Sequence, residues 1–370
     1  MNGLEKILDS SKILWHQDRL EKWKRGERFA PITVDMSLNQ SCNYSCGFCY
    51  ATLQENEGFK ITEDIMRRFL DDCAEIGVKA ISLVSDGEST ISPAFKFTVQ
   101  YGHSKGISMA VGSNGFLLTK EVLEDVLPNL TYLRFNFSGG EKKRYAEIMG
   151  VKEASFDQVC QNIRDAMEIK KRKKLQTTVG MQMVLMPEMS DQIMPLAKLG
   201  KQLRPDYLVI KHCSDDEVGS LGVDYKGYRE YYPLLEAAEA MSDESYLVKV
   251  KWSKINTEGQ RNYEQCYGAP FILQLSGTGL VAPCGPLFGE KYKKFHIGNI
   301  CDESFKDIIF GDRYWEVMSE LGSNRFNAKS MCGTLCLQHK TNEVLDKFKK
   351  GEIPLDKPEG EAPPMHINFV

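Results

Sequence analysis

No run of eighteen apolar residues occurs in these 370 residues, so no helical membrane span is expected. The first 28 residues are charged and helical in pattern, which is not the pattern of a signal peptide. An excess of charge of one sign is also missing. Against 51 Asp and Glu stand 47 Lys and Arg, a formal net charge of −4, which gives no ground for nucleic-acid binding. The one basic run, Lys170-Lys171-Arg172-Lys173-Lys174, closes a helical pattern, where cations complement the C-terminal dipole on a solvated face. No internal repeat is present. Histidine is scarce, at six, but cysteine is not. Eleven cysteines without a secretory signal point to a cytoplasmic, reducing setting, and to metal ligation before disulfides.

The most informative cysteines stand in Ser41-Cys42-Asn43-Tyr44-Ser45-Cys46-Gly47-Phe48-Cys49-Tyr50, spaced Cys-x3-Cys-x2-Cys. Three thiolates on one short loop are one fewer than a cubane iron–sulfur cluster needs. A cluster on Cys42, Cys46 and Cys49 would leave one iron open to an outside ligand, as a cluster that does chemistry requires. A zinc knuckle is the rival reading, but structural zinc takes four Cys or His ligands in paired groups. No His or further Cys lies within twenty residues on either side to complete one.

The length suits two domains or one enlarged α/β domain, and 42% hydrophobic residues are ample for a core. Strand patterns at 32–38, 80–85, 107–112, 132–137, 178–185 and 207–211 alternate with helical patterns at 62–76, 120–126, 156–171 and 190–203. Six strand–helix units predict an α/β fold, a partial (β/α)6 TIM-like barrel. Functional groups of such folds gather at the C-terminal ends of the strands, and the cysteine loop follows the first strand there. From about residue 253 the pattern changes. Strands at 271–275 and 280–282 flank Ser276-Gly277-Thr278-Gly279, a hairpin turn, and a helix over 304–320 follows. The expected division is an N-terminal helical extension (1–30), the barrel (31–252), a small hairpin–helix domain (253–345) and a tail (346–370). From Ile353 the tail carries Pro354, Pro358, Pro363 and Pro364, and is expected to lie extended across the surface or to be disordered.

Taken together, these residues resemble the radical S-adenosylmethionine (SAM) superfamily, over roughly Ile32 to Lys211. The position before the last loop cysteine is usually aromatic there; here it is Phe48, which the resemblance sets on the adenine and ordinary packing sets in the core. Asp86-Gly87-Glu88-Ser89 is similar to the family's Gly-Gly-Glu-Pro segment that binds the cofactor's amino group, with Gly87 and Glu88 kept and the outer positions departing. Ser113-Asn114-Gly115 is similar to the segment near the nucleoside, and Asn136 and Ser138 stand where polar side chains meet the ribose. The C-terminal part resembles the SPASM/twitch extension through Cys266-x12-Gly279-x4-Cys284. With only Cys266, Cys284, Cys332 and Cys336 suitably placed, and Cys301 as a candidate fifth, the twitch arrangement with one auxiliary 4Fe–4S cluster matches better than two clusters. Zinc on the same four residues is the rival.

The resemblance implies an enzyme that reductively cleaves SAM to a 5′-deoxyadenosyl radical, fed by a flavodoxin- or ferredoxin-type reductant. The substrate radical then has three fates. It is oxidised with help from the auxiliary cluster, epimerised by a thiol, or belongs to a modified peptide. Lys211-His212-Cys213, closing the sixth strand, is the candidate catalytic group, with Lys211 or His212 as base and Cys213 as hydrogen donor; each also suits a structural role. Tyr225, Tyr228, Tyr231 and Tyr232 line a pocket or form a packing face, and helical spacing favours packing. Cys73 and Cys160 fall at apolar helical positions, as core thiols do. About thirty residues precede the first strand, so no N-terminal leader-binding domain is expected. The leading expectation is a radical SAM enzyme acting on a small polar metabolite: a sugar, cyclitol or amino-acid derivative. The alternatives are a peptide or protein side chain as substrate, and a non-catalytic iron–sulfur carrier, against which the open iron argues.

Overall fold

The computed structural model describes residues 10–53, 61–334 and 336–370; of the expected N-terminal extension, residues 1–9 lie outside the described residues. Its strands are β1 (Thr33–Met36), β2 (Ala80–Leu83), β3 (Ser108–Ser113), β4 (Tyr132–Asn136), β5 (Thr178–Leu185), β6 (Tyr207–His212), β7 (Leu247–Val250), β8 (Ile272–Leu275), β9 (Leu280–Ala282) and β10 (Gly298–Asn299). They form one sheet in the order β10-β9-β8-β1-β2-β3-β4-β5-β6-β7. From β8 across to β7 every pairing is parallel; β9 and β10 return antiparallel. The result is the expected open TIM-like partial barrel, with β7 as a seventh unit beyond the six expected.

Residue alternation explains the curvature. Val34, Ile81, Val111, Leu133, Met181 and Leu208 point outward into the apolar layer beneath the helices, all fully buried or nearly so. Their neighbours Asp35, Ser82, Arg134, Gln182 and Lys249 fall on the other face, because successive side chains of a strand alternate. A polar inner face cannot pack against a second apolar layer, so the sheet wraps around a lumen.

The helices obey their local signals. The helix Glu63–Ile76 starts at Thr62, whose hydroxyl accepts from the Ile65 N–H, and stops at Gly77 in the left-handed conformation. Met66, Phe69, Leu70 and Cys73 form its buried stripe, so Cys73 is a core thiol; Cys160 is likewise buried. One sequence expectation is corrected. The single helix over 304–320 is two, Phe305–Phe310 and Asp312–Leu321, because extended Gly311 (φ −69, ψ 156) breaks it. Ile272–Leu275 pairs with β1, so the sheet runs without interruption from the barrel into the C-terminal hairpin.

The tail runs without helix or strand and mostly exposed over residues 356–363, as expected, but its last residues are tucked in. It turns under the N-terminal ends of the strands. Lys12 donates to the Phe369 carbonyl at 3.1 Å and Thr33 to the Asn368 carbonyl at 2.7 Å. His366 stacks on Tyr132 with ring centroids 5.5 Å apart, and its Nε2 lies 2.7 Å from the Thr178 hydroxyl. Burial pushes the His366 imidazole down to about 3, with Lys12 and Lys170 adding to the effect. The folded state therefore holds it neutral while the unfolded chain protonates below about pH 6.5. Stability from this group is full above that pH and drains away as pH falls toward 3, by up to about 1.4 kcal/mol per pH unit. His366→Phe is expected to flatten the acid limb of stability by that slope in urea titrations at about pH 7 and about pH 5.

Candidate active site

The loop carrying Cys42, Cys46 and Cys49 has little secondary structure, and other segments hold it. Ser45 and Gly47 donate backbone N–H groups to the Met149 and Ile148 carbonyls at 3.3 Å, at the end of the helix Lys142–Met149. Glu88 donates its N–H to the Ser41 carbonyl at 2.9 Å, and the Tyr44 and Tyr145 hydroxyls meet at 3.2 Å. Cys42 is exposed, Cys46 and Cys49 are half-buried, and all three thiols are free. Burial raises the Cys42 and Cys46 thiols, and the neighbouring Cys49 charge adds to the effect on both. Three such thiols become thiolates together only beside a strong positive centre, which is what iron supplies.

Gly87 and Glu88 stand beside this loop at the end of β2. Gly87 has φ +72, and a Cβ there would collide with the Asn39 carbonyl, so only glycine lets the two turns touch. The Glu88 carboxylate is buried and raised by desolvation, yet it is well partnered. It accepts from the Ser113 hydroxyl (2.8 Å), the Asn114 N–H (2.8 Å) and the Thr90 hydroxyl (2.7 Å). Asn114 donates to Asn43 at 2.7 Å and points its amide at the Cys42 sulfur, 4.0 Å away. Cys42, Gly87, Glu88, Ser113 and Asn114 are thus one connected cluster. Asn136 accepts from Gln182 at 3.1 Å on the lumen face, whereas the buried Ser138 hydroxyl accepts from the Val184 N–H at 3.0 Å, a bracing role. Phe48 is half-buried, and its carbonyl faces the Cys213 sulfur at 3.7 Å.

The three residues closing β6 part company. Lys211 falls on the lumen face with Tyr207, and burial together with Arg134 and Lys254 pushes its ammonium down to about 7. His212 falls on the opposite face, donates from Nδ1 to the Cys213 carbonyl, and is pushed down to about 3 by burial. The Cys213 sulfur is fully buried between the Phe48 and Ser214 carbonyls, and burial pushes its thiol up to about 12. Tyr228 donates to the Leu185 carbonyl and accepts from the Cys213 N–H, so it is a packing residue.

Cys266, Cys284, Cys332 and Cys336 converge on one small cavity; Cys301 stays outside it, against the Thr278 carbonyl. Arg261 binds the Ala328 carbonyl at 2.8 Å and the Cys332 carbonyl at 3.3 Å, shaping the loop that carries two of these thiols. Asn342 donates to the Cys266 sulfur at 3.5 Å, and the Tyr263 hydroxyl lies 3.4 Å from the Cys336 sulfur. No three His, Cys, Asp or Glu side chains among the described residues close on a site for a single metal ion. A larger cavity of about 510 Å³ occupies the barrel lumen, and Cys336 lines it as well.

Asp86 was not singled out by its motif, where it replaces a glycine. It accepts from the Ser276 hydroxyl at 2.8 Å, the Gly277 N–H at 2.8 Å and the Gln40 amide at 3.1 Å. It therefore ties the C-terminal hairpin to the cysteine loop. The lumen residues Asp35, Arg134 and Lys251 also escaped notice, although strand alternation points to the first two.

Comparison with known proteins fits this geometry. Residues 36–199 match the Radical SAM superfamily. These residues carry a radical SAM domain, which supports an enzyme that uses a 4Fe–4S cluster and SAM. It is 21% identical to the tungsten-containing aldehyde ferredoxin oxidoreductase cofactor-modifying protein of Pyrococcus furiosus, over 75% of this chain and 81% of that protein. To the AdoMet-dependent heme synthase of Methanosarcina barkeri it is 23% identical, over 75% of this chain and 82% of that one. Streptococcus suis SuiB bound to S-adenosylmethionine superposes with a TM-score of 0.63 at 16% identity, covering 81% of this chain and 70% of SuiB. SuiB bound to its precursor peptide SuiA gives 0.60 at 16%, covering 81% and 69%. No helix among the described residues is long and apolar enough to cross a membrane.

Gly87→Ala is expected to push the cysteine loop off its support. Iron bound per chain should fall severalfold while the far-ultraviolet circular dichroism of the barrel is kept.

Proposed function

We propose that Cys42, Cys46 and Cys49 hold the SAM-cleaving cluster, and that this enzyme oxidises a small polar metabolite bound in the barrel lumen. The observation that carries this reading is the position of Cys336, which borders both the four-cysteine cavity and the lumen. When bound, the first cluster and SAM supply a 5′-deoxyadenosyl radical that takes hydrogen from the substrate. An auxiliary 4Fe–4S cluster on Cys266, Cys284, Cys332 and Cys336 would accept the electron that oxidation releases, with all four ligand places filled by protein.

The remaining work belongs to the chain's own residues. Glu88 is braced by Ser113, Thr90 and Asn114, so its carboxylate is held still beside the cysteine loop. Asn114 is committed to Asn43 and the cysteine loop, and Asn136 to Gln182 on the lumen face. Lys211, on the lumen face with its ammonium near 7, is suited to take the proton that leaves with oxidation. His212 faces away from the lumen and Cys213 is enclosed by backbone, so oxidation is favoured over epimerisation by that thiol. Residues 253–345 then act as the twitch-type auxiliary domain, and residues 31–252 as the radical SAM barrel.

A peptide substrate is the second reading, and the likeness to SuiB bound to a precursor peptide favours it. The lumen admits one side chain of a peptide as readily as a free metabolite of the same size.

The reconstituted, reduced enzyme is expected to form 5′-deoxyadenosine from SAM, and the Cys42/Cys46/Cys49→Ala variant to form none above background. Equal yields from both would overturn the assignment of the loop.

A further inference from the structure

We propose that the barrel lumen is an anion site, and that the substrate is a small acid held through carboxylate or phosphate groups by Arg134, Lys249 and Lys251. This rests on the lumen being the substrate site. The charge count is the first ground. Lys12, Arg134, Lys249, Lys251, Lys254 and Lys340 line this cavity, and Asp35 is the one side-chain carboxylate that does.

The second ground is the lack of partners. Lys254 donates to the Cys336 carbonyl, Lys12 to the Phe369 carbonyl, and Lys340 pairs with Glu343. Among the described residues no hydrogen bond or ion pair reaches the ammonium of Lys211, Lys249 or Lys251. The Nε of Arg134 is buried without a hydrogen-bond partner. Arg134, Lys249 and Lys251 are half-buried around the cavity, so their charges are incompletely solvated and an anion placed among them would find unpartnered donors.

Register supplies the third. Val209 pairs with Lys249 and Ile210 with Val250, so Lys211 comes opposite Lys251 on the lumen face. Like charges directly across a parallel pair destabilise it. On the neighbouring strands Gly112 and Gly180 leave the space that the Arg134 guanidinium and the Tyr207 ring occupy. Burial, with the Arg134 and Lys254 charges adding to it, holds the Lys211 and Lys251 ammonium groups below their ordinary range, and Asp35 is pushed up to about 7 by desolvation. An anion entering the lumen would favour the charged form of Lys251 and pair with it. At about 510 Å³ the lumen is in the size range of small-molecule sites.

The test is a thermal-shift titration of the full-length, cluster-loaded enzyme with citrate, with pyrophosphate, and with sodium chloride at matched ionic strength. The wild type is expected to gain a saturable rise in Tm with citrate or pyrophosphate beyond the chloride control. Whichever is effective at the lower concentration assigns the acid as carboxylate or phosphate. Lys251→Gln is expected to raise the ligand-free Tm and weaken the response at least about tenfold. Asp35→Asn is expected to strengthen it. A wild-type response no larger than with chloride, or one unchanged in both variants, would overturn the proposal. Formation of 5′-deoxyadenosine by the wild type reports separately on the enzyme reading, so the two failures are distinguishable.

Discussion

A single peptide, at Asn39, is the joint on which the site depends. It is pressed between Gly87 at the end of β2 and Gly277 in the hairpin turn, and a Cβ on either glycine would collide with it. Asn39 returns a hydrogen bond to the Glu88 carbonyl at 2.9 Å, and Ser37 donates to the Asn39 carbonyl at 2.8 Å. Asp86 fastens the hairpin across the same point. The cysteine loop leaves the barrel immediately after this joint. Its thiols inherit their placement from it, because the loop has almost no structure of its own.

The same joint couples the barrel to the C-terminal segment. β8 extends the sheet on the free side of β1, and its hairpin returns toward the four-cysteine cavity. The four-cysteine cavity therefore borders the lumen through Cys336, and a continuous sheet joins its hairpin to the strand that leads into the cysteine loop. Such rigidity suits chemistry in which a substrate must lie within reach of both.

Much of this was legible in the residues. The α/β alternation placed β1 through β6, the spacing of the loop cysteines identified the family, and Gly87-Glu88 and Ser113-Asn114 fell beside them. The four later cysteines were legible as a group, although 66 residues separate Cys266 from Cys332. Other features were hidden for physical reasons. β7 is four residues long between turn-rich segments, too short for its period to stand out. Gly311 ends a helix through an extended conformation that most residues adopt, so the amphipathic pattern runs across it unmarked. The docking of the tail combines the carbonyl groups of residues 367–369 with His366 and Phe369 against Tyr132, partners too far away in sequence for any local pattern to announce them. Asp86 was read as a departure from a motif, because its partners lie 190 residues away. The lumen cations Arg134, Lys211 and Lys249 come from three strands and meet only when the sheet curls.

The central claim is that two iron–sulfur clusters face one lumen, and counting them tests it most directly. Iron and sulfide analysis with Mössbauer spectroscopy should find two 4Fe–4S clusters in the reconstituted wild type, about eight iron atoms per chain. The Cys266/Cys284/Cys332/Cys336→Ala variant should keep one cluster, about four iron atoms, still perturbed by added SAM. One cluster in both proteins, or zinc in place of the second, would contradict the account.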